Sequence, residues 1–298
     1  MKKSILAMAS VAVMTSSAAM AEGPRIAGGK AEGVYIRYAS NIASALRGDD
    51  AYTKANAPVV METKGSVENL ELLNSGKADI ALVQADAFMK FVNEHADALN
   101  NIDMVGQLPR EECLFLVMRK DGDITSAKDL EKSSTRIAIG ASGTGQNASW
   151  HYVTTLHPAY DKAAKTERDG EALLGKVVQG GKYGLDAYFF TGPANVTNMV
   201  TDNVNLPGAK LKFVDFNNND LKGSLPNGEP VYNMRDVQVM YEQNTSLIHD
   251  GKVEVPCTTT LVVTSTNIDS KLADKVAKLA NRNVARIADI GTSGKSLK

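Results

Sequence analysis

Residues 58–86 read PVVMETKGSVENLELLNSGKADIALVQAD, and they hold one complete unit of an alternating fold. PVVMET (58–63) has the β-branched, apolar make-up of a strand, and Gly65-Ser66 breaks it. The next ten residues, VENLELLNSG, predict a helix with Ser66 at its cap, Glu68 and Asn69 in its first turn and Gly76 as its stop. ADIALV (78–83) is almost continuously apolar, as a strand buried on both faces of a parallel sheet must be. Gln84-Ala85-Asp86 then opens another helix.

The pattern extends in both directions. Upstream, Arg25-Ile26-Ala27 is a short strand ending at Gly28-Gly29, and 33–46 predicts a helix with Tyr35, Tyr38, Ile42, Ala45 and Leu46 on one stripe. Downstream come two strand-like segments, 103–108 and 112–119, after which the pattern restarts. TRIAI (135–139) runs into Gly140-Ala141-Ser142-Gly143-Thr144-Gly145, and a helix opens near Gln146. GLDAYFF (184–190) predicts a strand, 191–193 a turn, 194–200 a helix and 211–215 a strand, with a loop-rich stretch at 217–230. A long strand at 252–265 precedes a helix over 270–290, whose Leu272, Val276, Leu279, Val284 and Ile287 keep a 3.6 period. No repeat of 20–50 residues stands out. The fold class predicted is α/β, with two lobes, each a mixed sheet flanked by helices, around a cleft. Lobe I is 22–115 plus 262–298 and lobe II is 116–261, joined by crossing hinge strands near 114–118 and 261–263.

Composition narrows the function. The 298 residues carry a net charge of −1, with Lys+Arg 33 against Asp+Glu 34, so no global basic field draws nucleic acid or anionic lipid. Hydrophobic residues make up 43% and the mean hydropathy is −0.19, as in an ordinary soluble globular chain. Lys2 and Lys3, an Ala- and Ser-rich apolar run and Ala19-Met20-Ala21 predict a secretory signal peptide over 1–21, cleaved after Ala21. The mature protein is expected in the periplasm, where ATP- and NAD-dependent chemistry is scarce.

Each predicted strand-to-helix junction carries small or polar residues: Gly28-Gly29, Gly65-Ser66, Gln84-Ala85-Asp86, Ser142-Gly143-Thr144 and Thr191-Gly192-Pro193. Any one is an ordinary turn. Together, at matching ends of two lobes, they predict a cleft for a small anionic ligand, because helix N-termini present free N–H groups and partial positive charge. Enzymatic motifs are lacking. Gly140 to Gly145 has neither the G-K-[ST] ending of a P-loop nor dinucleotide-site spacing, and Gly294-Lys295-Ser296 lacks the upstream glycine. No G-x-S-x-G surrounds a serine, and His95, His151, His157 and His249 fall in no zinc pattern. The expectation is a non-enzymatic protein with no catalytic residue, metal or cofactor. Arg37 and Arg110, each near a cleft-facing end, are alternative partners for a ligand carboxylate.

The stretches GGKAEGVYIRYASNIASAL, ETKGSVENLELLNSGKADIALVQAD, ECLFLVMRKD, TRIAIGASGTG and LDAYFFTGPAN, in that order, resemble the TAXI subfamily of solute-binding proteins of TRAP (tripartite ATP-independent periplasmic) transporters. The resemblance implies a type II-like periplasmic-binding-protein fold that closes on a small organic acid or amino acid and delivers it to TRAP-type membrane permease subunits. Carried over by position, it implies a ligand site of Gly29, Tyr35, Gly65, Ser66, Gln84, Ser142, Thr144, Asn147 and Thr191. A monomer is expected. The rival reading is a periplasmic sensor that presents its closed form to a membrane receptor kinase.

Two cysteines in an oxidising compartment invite a disulfide. If 114–118 and 261–263 are the antiparallel crossing strands, however, Cys113 and Cys257 stand more than ~10 Å apart and stay unbonded.

Overall fold

The computed structural model describes residues 23–48, 51–52, 54–168, 172–194, 199–240 and 251–282. The expected signal peptide, and the end of the last helix beyond Arg282, lie outside the described residues. In chain order the elements are β1 (Arg25–Ala27), α1 (Val34–Arg47), β2 (Val59–Met61), α2 (Ser66–Asn74), β3 (Ile80–Gln84), α3 (Ala85–Glu94), α4 (Ala98–Asn101) and β4 (Ile102–Arg119). Then come β5 (Arg136–Ala138), α5 (Gly145–Leu156), β6 (Ala164–Thr166), α6 (Ala172–Gln179), β7 (Ala187–Pro193), α7 (Met199–Asn205), β8 (Leu211–Val214), β9 (Tyr232–Gln238), β10 (Lys252–Ser265) and α8 (Ser270–Arg282).

The strands form one mixed sheet in the order β2-β1-β3-β10-β4-β7-β5-β6, with β8 on β4 and β9 on β10. In the first half, alternate side chains of β1, β3 and β10 face opposite ways. Ile26, Ile80, Leu82 and Val262 pack against Tyr38, Ile42, Leu272 and Val276 of α1 and α8. Ala27, Ala81, Val83, Leu261 and Val263 join the larger core with Leu70, Leu73, Phe88 and Phe91 of α2 and α3. In the second half, Trp150 of α5 is fully buried edge-on against Phe189 of β7 and stacked on Tyr160.

One interaction recurs in both halves. Arg25 in β1 donates to Asp79 from its backbone N (2.7 Å), Nε (3.0 Å) and Nη2 (3.0 Å), and Asp79 N returns a bond to Arg25 O. Arg136 in β5 does the same to Asp186 at 2.8, 3.1 and 2.8 Å, with Asp186 N bonded to Arg136 O. Both arginines begin the tripeptide RIA, and both aspartates sit just before the neighbouring parallel strand.

The two segments at 103–108 and 112–119 are a single strand, β4, of 18 residues. It and β10 are the long strands common to both halves. From Ile102 to Cys113, β4 pairs with β10. Beyond that, β4 pairs with β7 and β8, while β10 pairs with β9. Register shifts between Thr259 and Thr260 and between Val262 and Val263 place Leu261 opposite Gln107. This overturns the expected pairing of 114–118 with 261–263. Cys113 instead lies opposite Cys257, with Cα atoms 3.8 Å apart, and the two form a disulfide. The expectation of distant thiols failed because Val262 pairs with Gly106 rather than with a residue near 116, and no local pattern fixes the register between distant strands.

Candidate functional site

Four α-helices, α1, α2, α3 and α5, begin on a single cavity of about 250 Å³. Their caps are Gly33, Gly65, Gln84 and Thr144, and of these cap residues only Thr144 accepts a first-turn N–H with its side chain, while within α3 Asp86 accepts from Ala87 N. Uncapped N-termini leave N–H groups and partial positive charge facing the cavity. Gly65 has φ +131°, a conformation essentially restricted to glycine, so the bend that aims α2 at the cavity depends on that residue.

The loops of the two halves meet over this space. A Cβ on Gly145 would lie 1.9 Å from Gln84 Oε1, and one on Gly65 would lie 3.8 Å from Gly145 N. A larger groove of about 660 Å³ lies in the second half beside β8, rimmed by Lys128, Lys212 and Lys252, but no α-helix begins there.

Seven of the nine residues expected at the ligand site line the 250 Å³ cavity: Gly29, Tyr35, Gly65, Ser66, Gln84, Thr144 and Thr191. Ser142 is exposed and lies outside it. Asn147 is buried and turned inward, its Nδ2 donating to Gly140 O at 3.3 Å and its backbone N to Thr144 Oγ1 at 3.2 Å. Of the two arginines, Arg37 is exposed, and Arg110 lies beside Glu112 with its Nε 3.8 Å from the carboxylate.

The two cavity hydroxyls differ in what they can still do. Thr144 Oγ1 donates to Ala141 O at 2.7 Å and accepts from Asn147 N, so its proton is committed. Ser66, expected to cap α2, is its first residue instead; its Oγ accepts from Gln84 N at 3.1 Å and keeps its proton for a ligand. Behind them Asn69 ties the junctions together. Its side chain donates to Gly28 O (2.6 Å) and Leu82 O (2.8 Å) and accepts from Thr63 Oγ1 (2.6 Å).

Other cavity residues escaped the sequence reading. Gly145 and Gln146 follow from α5 starting at Gly145, and Lys30 and Lys64 from flanking glycines, but Glu112 had no local signal, because its place comes from the register of β4. The inner wall is acidic. Burial lifts the Glu112 pKa, partly countered by Arg110. Burial, and then the Glu112 charge, push the Tyr35 phenol well above its ordinary range, and its hydroxyl lies 3.4 Å from Thr260 Oγ1. Deeper still, Asp86 is fully buried, accepting from Tyr232 Oη at 3.0 Å and Ala87 N at 2.7 Å, and burial pushes its pKa up to about 6. Asp86 is thus a polar tie between α3 and β9.

A family model described as the NMT1-like family matches residues 26–294. No curated protein matches the chain. Among solved structures, an ancestral arginine-binding protein bound to arginine superposes with a TM-score of 0.52 at 15% identity, over 92% of this chain and 100% of that one. YhfZ from Shigella flexneri gives 0.49 at 16% identity, over 93% and 94%. The cysteine-binding protein from Campylobacter jejuni gives 0.48 at 16%, over 93% and 92%. The fold is thus the two-lobed α/β architecture of that arginine-binding protein, and no helix among the described residues is long and apolar enough to cross a membrane.

Proposed function

The chain belongs to the NMT1-like family, and on that premise we propose that it is a periplasmic solute-binding protein that closes on a small carboxylate and delivers it to a TRAP-type secondary transporter. The observation that carries this reading is the convergence of four α-helix N-termini on one cavity between the two halves. A carboxylate there meets several N–H donors at once, which offsets the cost of removing it from water. Gly29, Tyr35, Gly65, Ser66, Gln84, Gln146 and Thr191 contact the ligand in this reading, and Thr144 and Asn147 shape the loop that presents Gly145.

The hinge is the pair β4 and β10, which join first-half strands at one end and second-half strands at the other. Delivery to a TRAP-type permease is supported by the resemblance of residues 62–86 and 135–145 to the solute-binding proteins of that transporter class. The N-terminal Lys2-Lys3, apolar run and Ala19-Met20-Ala21 support export with cleavage after Ala21.

Native mass spectrometry of the protein as purified identifies any retained solute. Calorimetric titration with that solute and its amide analogue then tests the site. The acid is expected to bind and the amide to bind far more weakly. Small-angle scattering should show a smaller radius of gyration at saturation. Equal binding of acid and amide removes the carboxylate from this reading, and an unchanged radius removes closure. Uptake of the solute by vesicles carrying a TRAP-type permease, only when the protein is added, tests delivery. Failure there, with a closed form that binds a receptor kinase, favours the sensor.

A further inference from the structure

The cavity has a second chemical character that helix N-termini do not explain. Glu112, on β4, lines the same space as Ser66, Gln84 and Gly145. Its side chain is only 17% exposed. A carboxylate has about four acceptor positions, yet Glu112 accepts a single hydrogen bond among the described residues, from Gln84 Nε2 at a long 3.4 Å. Arg110 Nε stands 3.8 Å away, close enough for an ion pair but outside hydrogen-bond range, and has no hydrogen-bond partner among the described residues, so it leaves the carboxylate's acceptor positions unfilled. The nearby titratable groups from other elements are Tyr35 and Tyr38 of α1 and Asp86 of α3, none of which brings positive charge. Lys30 and Lys64, at the same cavity, are exposed. A largely buried carboxylate with one weak bond is a costly arrangement unless a donor arrives to complete it.

We propose that Glu112 is the specificity-determining residue of the cavity, accepting the ammonium of a ligand whose carboxylate sits at the helix N-termini, so that the solute is an α-amino acid. This rests on the carboxylate reading above and adds the second pole to it. About 250 Å³ corresponds to roughly eight water volumes, enough for a small amino acid to reach both poles at once. An ammonium brings three N–H donors and a positive charge to Glu112, making charge-assisted bonds. A 2-oxo acid places a bare carbonyl oxygen there, and a dicarboxylic acid a like charge. Both leave Glu112 without a donor, and mismatched polar groups of this kind discriminate strongly.

The experiment is calorimetric titration of the full mature chain with matched pairs that differ only at the α-position: alanine and pyruvate, leucine and 4-methyl-2-oxopentanoate, glutamate and 2-oxoglutarate. The tightest binder is expected to be an amino acid, with its 2-oxo partner at least about 100-fold weaker. Glu112→Gln should weaken the amino acid by about 10- to 150-fold and shrink the gap within the pair, while Glu112→Asp, which keeps the charge, recovers part of the loss. The comparison within a pair uses unaltered protein, so it stands even where a variant folds poorly. A 2-oxo acid binding as tightly as its amino acid, with Glu112→Gln neutral, overturns the ammonium subsite and leaves the carboxylate site standing. An amino-acid amide binding as tightly as the free acid overturns the carboxylate site instead. Failure of every pair to bind overturns both.

Discussion

Cys113 and Cys257 are bonded at the last residue pair that β4 and β10 share. Past this point the strands part, β4 toward β7 and β8, β10 toward β9. The disulfide therefore pins the two long strands at the fork between the halves, where it also closes a loop of sequence separation 144.

Thiol titration of unfolded, unreduced protein should find no free cysteine, and any free thiol contradicts the bond. In the chain-entropy model a loop of this length is worth about 5 kcal/mol, and native disulfides typically contribute about 2–5. Cys113→Ala with Cys257→Ala should lower the urea-unfolding free energy by that amount. A loss below about 1 kcal/mol would show that the fork is held by strand pairing alone.

The paired forks Arg25–Asp79 and Arg136–Asp186 are equivalent devices in separate halves, each partly exposed. Asp79→Ala and Asp186→Ala should each cost about 1–3 kcal/mol, the range for charge-assisted bonds lost from a partly buried site. Sites that share no partner add within about 0.5 kcal/mol, so the double variant should show the sum. Strong non-additivity in urea melts would mean that the halves do not respond independently.

Asp86 titrates in the direction opposite to most carboxylates. Its folded pKa of about 6 lies above the ordinary 3.8, so the folded state binds the proton more tightly than the unfolded chain. Its contribution is most favourable below pH 4 and declines as pH rises through 6, by about 3 kcal/mol in total. Asp86→Asn removes this titration and keeps an acceptor for the Tyr232 hydroxyl. The stability of the variant relative to the parent should therefore rise between pH 4 and pH 7. Thermal melts that run parallel across that range would rule out the shift.

Ser66 and Thr144 should separate binding from stability. Ser66→Ala removes a hydroxyl proton free to reach a ligand and is expected to weaken binding of an identified carboxylate by about 10- to 150-fold. It also orphans Gln84 N, so its melting temperature falls as well. Thr144→Ala removes a helix cap worth ~1 kcal/mol and lowers stability, but its committed hydroxyl predicts an affinity within a few fold of the parent. Calorimetry that ranks the two the other way round would reverse the assignment.

Local pattern carried the alternation of strands and helices. The run ADIALVQAD became a strand, β3, that is buried along its length, followed directly by α3. Leu272 and Val276 in α8, spaced by one helical turn, lie against α1 with Ile42. The junction glycines and serines were legible for the same reason. A βα turn places its own residues at the sheet edge, so Gly65, Ser66 and Gln84 reached the cavity as read. The RIA tripeptides were visible too, but not their aspartate partners, 54 and 50 residues away.

What the chain alone left open was everything set by how distant segments slide against one another. The register of β4 against β10, with Val262 opposite Gly106, decided that Cys113 meets Cys257 rather than lying far from it. Register along β4 likewise decided that Glu112 shares a cavity with α2 and α5. The state of each hydroxyl, with Thr144 committed and Ser66 free to donate, depended on carbonyls and amides fixed only when the loops packed. Periodicity records which face of an element is buried, because burial acts on each residue where it stands. Register and hydrogen-bond satisfaction depend on pairs, and a pair has no energy until the chain has brought both members together.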